Sequence, residues 1–404
     1  MNRIGTLFQI GLKDPWYRAN LILRLLVLTW VFTRGTALLG DSDYYLESMR
    51  SIWAGHWGGA TFRAPMYPWM LAIFGGPIVT SATITLIIWL VGVDLSKKCG
   101  RLIGCLWLFD PVLLLLGAAV MSDALFALFV YASVIAFKAF LESPLGSQAI
   151  RLGLTVGAAI LTRPIGIPFA ALMAAFVLLR PERARIRGVF LAMMVAILLV
   201  TPRLIWNERN GAGWTIAEQG RTFQMAVAAA VYFAGSGLNY TEAENRWVAE
   251  HPEDSRESGL IRRTLVAKFP IWLKLSAKGV LRTLFGHVNV EAGSFLFGRP
   301  VVGPGWFSEG NRGPVWTLPE KAVWVLGMFA AALFALFEYL YLLRDLRRVS
   351  RSAPFWNGWL LLAIVGFVLA PQLFGDCRFR LPVLAVLFAA RACLVSEKGL
   401  EQGL

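Results

Sequence analysis

Residues 187–205 read Arg-Gly-Val-Phe-Leu-Ala-Met-Met-Val-Ala-Ile-Leu-Leu-Val-Thr-Pro-Arg-Leu-Ile, with no charged side chain between Arg187 and Arg203. A run of that length crosses the hydrocarbon core of a bilayer as one helix, because only then are its backbone polar groups paired internally. Arginines crowd one flank: Arg180, Arg183, Arg185 and Arg187. An excess of Lys and Arg marks the cytoplasmic end of a span. This one stretch therefore sets both the solvent class and a direction. Composition agrees: 57% of the 404 residues are hydrophobic and 16% charged, against about 25% charged in soluble domains. The net charge of +14 belongs to span flanks, so membrane lipids are expected partners and nucleic acid is not.

Working outward, ten apolar runs read as spans: about 20–39, 66–93, 102–118, 121–140, 150–163, 165–180, 187–205, 321–343, 356–374 and 381–396. Pro164 splits the 150–180 stretch, so two short spans are expected there. Four basic groups then fall on one side of the bilayer. They are Arg3, Lys13 and Arg18; Lys97, Lys98 and Arg101; Arg180 to Arg187; and Arg344, Arg347, Arg348 and Arg351. Strict alternation of ten spans places all four in the cytoplasm, together with both termini. Residues 1–19 are polar and basic, and no A-x-A-like cleavage site follows, so the first span is expected to stay in the membrane. Cys99, Cys105, Cys377 and Cys393 have no metal-ligand spacing, and neither a disulfide framework nor a zinc site is expected.

The expected fold is an all-α polytopic membrane protein of about ten transmembrane helices, forming a single integral membrane domain over 1–404. Segment 40–65 is its first outer loop. Segment 206–320 is a long outer segment, Gly- and Pro-rich from Gly298 to Pro319. Within it, 271–285 places Lys274, Lys278 and Arg282 on one face and Leu273, Ala277, Val280, Leu281 and Leu284 on the other. That pattern is an amphipathic helix at the membrane interface.

In this topology several clusters of acidic and basic residues fall together on the outer face. Asp41 and Asp43 follow span 1, and Asp123 follows span 3. Arg63 lies in Phe62-Arg63-Ala64-Pro65-Met66-Tyr67-Pro68, Arg163 in Leu161-Thr162-Arg163-Pro164, and Arg378 and Arg380 in Asp376-Cys377-Arg378-Phe379-Arg380-Leu381-Pro382. A carboxylate beside a hydroxyl serves as a general base. Arginines hold phosphate through charge-assisted, often bidentate, hydrogen bonds. The set suits transfer of a sugar from a lipid-linked phosphate. Each residue also has a structural reading: Asp41, Asp43 and Asp123 suit helix caps, Arg63 can snorkel, and Arg163 can satisfy the carbonyls freed at Pro164. His56 could join Asp41 at a metal, although a lone loop histidine is usually just solvated. No cofactor is read with certainty, and a divalent metal is left open.

Four motifs in order carry a resemblance. Asp41, Ser42, Tyr45, Gly55, Arg63, Pro65, Tyr67, Pro68, Leu71 and Ala72 fit "Asp-Ser-x-x-Tyr…Gly…Arg-x-Pro-x-Tyr-Pro-x-x-Leu-Ala". Met121 to Phe126 fit "Met-Ser-Asp/Glu-x-Leu-Phe", Leu161 to Gly166 fit "Leu-Thr-Arg-Pro-x-Gly", and Arg378 to Pro382 fit "Arg-Phe/Tyr-Arg-x-Pro". The chain resembles the C-type (GT-C) membrane glycosyltransferases related to protein O-mannosyltransferases and lipid A aminoarabinose transferases. The resemblance implies a polyprenyl-phosphate-sugar donor, Asp41 as catalytic acid-base residue and Asp123 as a second acidic position. It implies Arg63 at the lipid phosphate; Tyr67, Arg163, Arg378 and Arg380 are grouped with it as donor-binding candidates, with Arg378 or Arg380 expected at the phosphate. The acceptor, a lipid, glycan or protein, stays open, as does the sugar. Departures are the Asp-Ser-Asp of the first loop, which keeps Asp43 as a rival base, and Arg203 where the family places Trp. Rival functions are a transporter or lipid flippase, which would show internal repeats, and an O-antigen ligase- or polymerase-type enzyme.

Overall fold

The computed structural model describes residues 3–34, 41–144, 146–179, 182–238, 240–252, 254–255, 257–285, 318–350, 354–369 and 380–402. Among these the regular structure is helical: α1 (Arg3–Lys13), α2 (Pro15–Thr33), α3 (Ser42–Trp53), α4 (Met66–Ile73), α5 (Pro77–Cys99), α6 (Arg101–Phe109), α7 (Pro111–Ala118), α8 (Asp123–Glu142), α9 (Ser147–Thr162), α10 (Gly166–Leu178), α11 (Arg183–Arg209), α12 (Gln219–Tyr232), α13 (Tyr240–Glu250), α14 (Ser258–Ala267), α15 (Phe269–Phe285), α16 (Leu318–Ser350), α17 (Pro354–Leu369) and α18 (Arg380–Gln402). Arg378, Cys377 and most of the Gly/Pro-rich stretch from Gly298 to Pro319 lie outside the described residues.

Among the described residues, helices α5, α8 and α11 are long and apolar enough to cross a bilayer, and the bent pair α6–α7 makes a fourth if it is counted as one broken span. The described residues are thus those of a helical, multi-pass membrane protein. The figure of about ten spans rests on the sequence, since α9 and α10, at 16 and 13 residues, fall short of the roughly 20 that a crossing needs. They are separate helices broken at Arg163–Ile165, as Pro164 predicts. Helix α8 is the centre of the bundle, packed between α9 and α18, while α9 also packs along α11.

Two runs read as single spans are broken. The 66–93 run divides at Phe74–Gly76, where Gly75 and Gly76 have φ of 79° and 130°, backbone that favours glycine and cannot continue a helix. The crossing is α5, and α4 is a short helix before it. The 102–118 run bends by 52° between α6 and α7. Pro111 removes a backbone donor there, and Asp110 caps α7 by accepting a 2.7 Å hydrogen bond from the Leu113 N–H.

That bend leaves carbonyls of the last turn of α6 without helical partners. Asn20 and Arg24 of α2, both buried, repair one of them: each donates to the Leu108 carbonyl, at 3.0 and 2.6 Å. The second oxygen of Asp110 ion-pairs with Arg380, the first residue of α18. The break is thus sealed by polar side chains from both ends of the chain.

The 271–285 segment is helical within α15. Its predicted apolar face is divided: Val280 and Leu284 pack against the main core, whereas Leu273 and Leu281 are exposed.

Candidate active site

The first loop is assembled around Arg203, a residue for which the sequence suggested no role. Arg203 projects from α11, completely buried. Its guanidinium donates to the carbonyls of Gly58, Ala60 (2.8 Å), Thr61 (3.3 Å), Arg63 (2.7 Å) and Ile216 (3.1 Å). One planar, five-donor group thereby fixes the backbone of 58–63. Indoles reinforce it: Trp206 donates to the Gly59 carbonyl at 3.3 Å and Trp69 to the Trp57 carbonyl at 2.7 Å. Gly59, at φ 62°, sits so close to the Ser48 hydroxyl that a Cβ would collide with it, and Ser48 accepts from the Ala60 N–H at 3.0 Å. Pro202-Arg203 near the end of a span was the available signal, but four of the five acceptors lie some 140 residues earlier and none carries a side-chain signature.

This clamp delivers Arg63 to Asp41. The pair is 2.6 Å apart, with the Asp41 side chain 19% exposed and that of Arg63 7%. Asp41 occupies the N-cap position of α3 but makes no capping hydrogen bond. The guanidinium of Arg63 lies over the rings of Tyr44, Tyr45 and Phe62, at 5.3, 5.9 and 5.0 Å, and its Nε is buried with no hydrogen-bond partner among the described residues.

A second pair faces the same centre. Arg163, exposed from its helix by the Pro164 break, lies 2.6 Å from Asp123, whose side chain is only 1% exposed. Its Nε donates to the Ser122 hydroxyl at 3.3 Å, and Ser122 also meets the Tyr45 hydroxyl at 2.8 Å. Tyr45 is the hub between the pairs. Burial raises its phenol above the ordinary value, with Arg163 and Arg63 opposing that shift and Asp41 and Asp123 adding to it. All four charges therefore act on one buried phenol. Tyr67 packs edge-on against Tyr45 at 5.1 Å. The turn between α7 and α8 is pinned beneath them, since Ser42 donates to the Val120 carbonyl at 2.9 Å and Tyr67 to the Ala119 carbonyl at 3.5 Å.

The structure thus brings Asp41, Arg63, Tyr67, Asp123 and Arg163 together. Asp43 is exposed in the first turn of α3, and His56 is exposed as well. Arg380 is buried and paired with Asp110 at the helix bend. Among the described residues no three His, Cys, Asp or Glu side chains gather as metal ligands would. Two carboxylates and two guanidiniums around a buried phenol, walled by aromatic rings, form a site fit to hold an anion beside an acid–base group.

Residues 63–206 match the dolichyl-phosphate-mannose-protein mannosyltransferase family. The match bears out the C-type glycosyltransferase resemblance. It takes in Arg63, Tyr67, Asp123, Arg163 and Arg203. Among solved structures, the archaeal oligosaccharyltransferase AglB from Archaeoglobus fulgidus, in complex with an inhibitory peptide and a dolichol-phosphate, aligns at 16% identity and a TM-score of 0.44. The alignment covers 97% of this chain and 52% of that one, so the chain spans about half the length of the archaeal enzyme. No curated protein matches the sequence.

Proposed function

We propose that the protein is an inverting glycosyltransferase, moving a sugar from polyprenyl phosphate to an acceptor hydroxyl at the outer face of a bacterial inner membrane. The observation that carries the reading is the state of Arg63. It is held by its carbonyl, bedded among three rings, paired with Asp41, and has a buried Nε that no described group uses. An arriving phosphate competes for this guanidinium and forms a charge-assisted, bidentate contact. The Asp41 carboxylate thereby becomes available to an acceptor.

The chemistry follows from that exchange. Asp41 accepts the proton of the acceptor hydroxyl. The oxygen attacks the anomeric carbon, and the bond from that carbon to the phosphate oxygen breaks. Polyprenyl phosphate leaves with the electron pair, its charge met by Arg63 and Arg163. A single displacement inverts the anomeric centre. Asp41 suits the base better than Asp123, because 19% exposure against 1% lets an acceptor reach it. Asp123 orients Arg163. Arg378 stays with the donor-binding set proposed from the motif, whereas Arg380, sealed against Asp110, anchors α18 instead.

The test is sugar transfer from a radiolabelled panel of polyprenyl-phosphate sugars, in membranes holding wild type, Asp41→Asn or Asp43→Asn. Loss of roughly 10²-fold or more for Asp41→Asn alone, with normal expression, supports general-base catalysis and names the donor sugar. Normal transfer by both variants makes the first-loop acids structural.

A further inference from the structure

A second built feature reaches from Met70 and Leu125, near the candidate site, to the end of the bundle away from Asp41. A cavity of about 490 Å³ runs between α5, α8 and α9, walled by Ile87, Val91, Leu128, Phe129 and Ile135. Its wall on α8 extends from Leu125 to Ala136, roughly 16 Å at the rise of a helix. That is about half of the 30 Å hydrocarbon core, the depth of one leaflet. At the far end the lining turns polar, with Asp94, Lys98 and Arg151. Asp94 and Lys98, paired at 2.6 Å, are shared with an adjoining cavity of about 490 Å³, which Lys97 also lines together with Thr6 and Leu7 of α1. Three cations and one carboxylate thus surround the junction between a polar chamber and an apolar groove. Helix α1, which closes the chamber, exposes Ile4, Phe8 and Leu12, the apolar stripe of a helix lying on a membrane surface.

We propose that this pair of cavities seats an anionic bilayer phospholipid, its phosphate among Lys97, Lys98 and Arg151 and one acyl chain in the α5–α8–α9 groove. Charge decides the headgroup. Basic pockets between membrane helices bind anionic lipid heads, and the net excess of two positive charges here leaves a zwitterionic head no advantage. Groove length decides the tail. Orientation separates this lipid from the sugar donor, whose phosphate belongs at Arg63, at the opposite end of α8. The inference rests on α5 and α8 crossing the membrane and is independent of the assignment of Asp41.

The full chain, reconstituted in nanodiscs of phosphatidylcholine doped with phosphatidylglycerol, is released and examined by native mass spectrometry for retained lipid. Wild type should retain phosphatidylglycerol preferentially. Lys98→Gln/Arg151→Gln should weaken that preference roughly ten- to thirtyfold while leaving phosphatidylcholine retention unchanged. Ala132→Trp, which fills the groove without altering charge, should reduce retention of the bound lipid. Lys138→Gln, a cation of α8 outside both cavities, should match wild type. A preference that survives the double variant overturns the proposal. So does displacement of bound phosphatidylglycerol by polyprenyl phosphate at equal concentration, which would give the groove to the donor. Because the readout is lipid retention, its failure leaves the sugar-transfer assay unaffected.

Discussion

Two kinds of Arg–Asp pair occur in this fold, and they differ in what surrounds them. Arg380–Asp110 is sealed in the bundle, its side chains 2% and 1% exposed, and Asp110 spends its other oxygen on capping α7. Arg63–Asp41 lies at a loop, partly open and beside aromatic rings. The first pair closes a broken helix, and its value lies in remaining intact. The second can exchange partners. An ion pair alone therefore says little about function. The route to solvent separates a working pair from a structural one.

The comparison can be broken most sharply at Asp41. Asp41→Asn should lower sugar transfer by about 10²- to 10⁴-fold with unchanged thermal unfolding; a comparable loss of stability would make this pair structural too. At the sealed pair the effects should reverse in kind. Asp110→Asn strands a buried guanidinium and should cost about 3–5 kcal/mol, whereas Asp110→Leu/Arg380→Met should recover most of it. Denaturation in detergent measures both, and equal stability of single and double variants would refute the sealed-pair reading. Arg203→Lys should sit between the extremes. Lysine offers fewer, non-planar donors to the five carbonyls, so about 1–3 kcal/mol of stability should be lost. Donor KM should rise severalfold as the Arg63 backbone loosens, and a change in kcat alone would argue against a positioning role.

Smaller effects sharpen the picture. The raised phenol of Tyr45 means that the folded state holds this proton more tightly than the unfolded chain. Its contribution is fully present below about pH 10, the unfolded value, and is lost as pH rises through the higher folded value. Tyr45→Phe should therefore flatten the decline of stability above pH 10, and below it should remove only the Ser122 hydrogen bond, about 1 kcal/mol. Asp43→Asn, at an exposed position, should leave transfer within about twofold of wild type.

Much of this was legible in the sequence because the signals are local. Pro164 announced the break that exposes Arg163, and the ordered motifs announced Asp41, Arg63 and Asp123. Asp110-Pro111 also carried a local signal, since Asp before Pro inside an apolar run is a cap followed by a first helical residue, and it was absorbed into a straight span. Gly75-Gly76 was overridden by hydrophobicity in the same way. The partners of Arg203 and Arg380 were not legible. Arg203 binds backbone carbonyls, which every residue possesses, and Asp110 lies 270 residues from Arg380. No pattern in a single chain encodes such separations.

The bend between α6 and α7 has a mechanical consequence. Helix α7 is an eight-residue arm, roughly 12 Å long, pivoting at Asp110 and carrying at its tip the carbonyls that anchor Ser42 and Tyr67. A pivot change of only about 5° would sweep that tip by about 1 Å, a displacement large enough to misalign reacting atoms and slow catalysis by about 10²-fold. The sealed pair would thus act as the bearing of a lever whose free end is the floor of the proposed site.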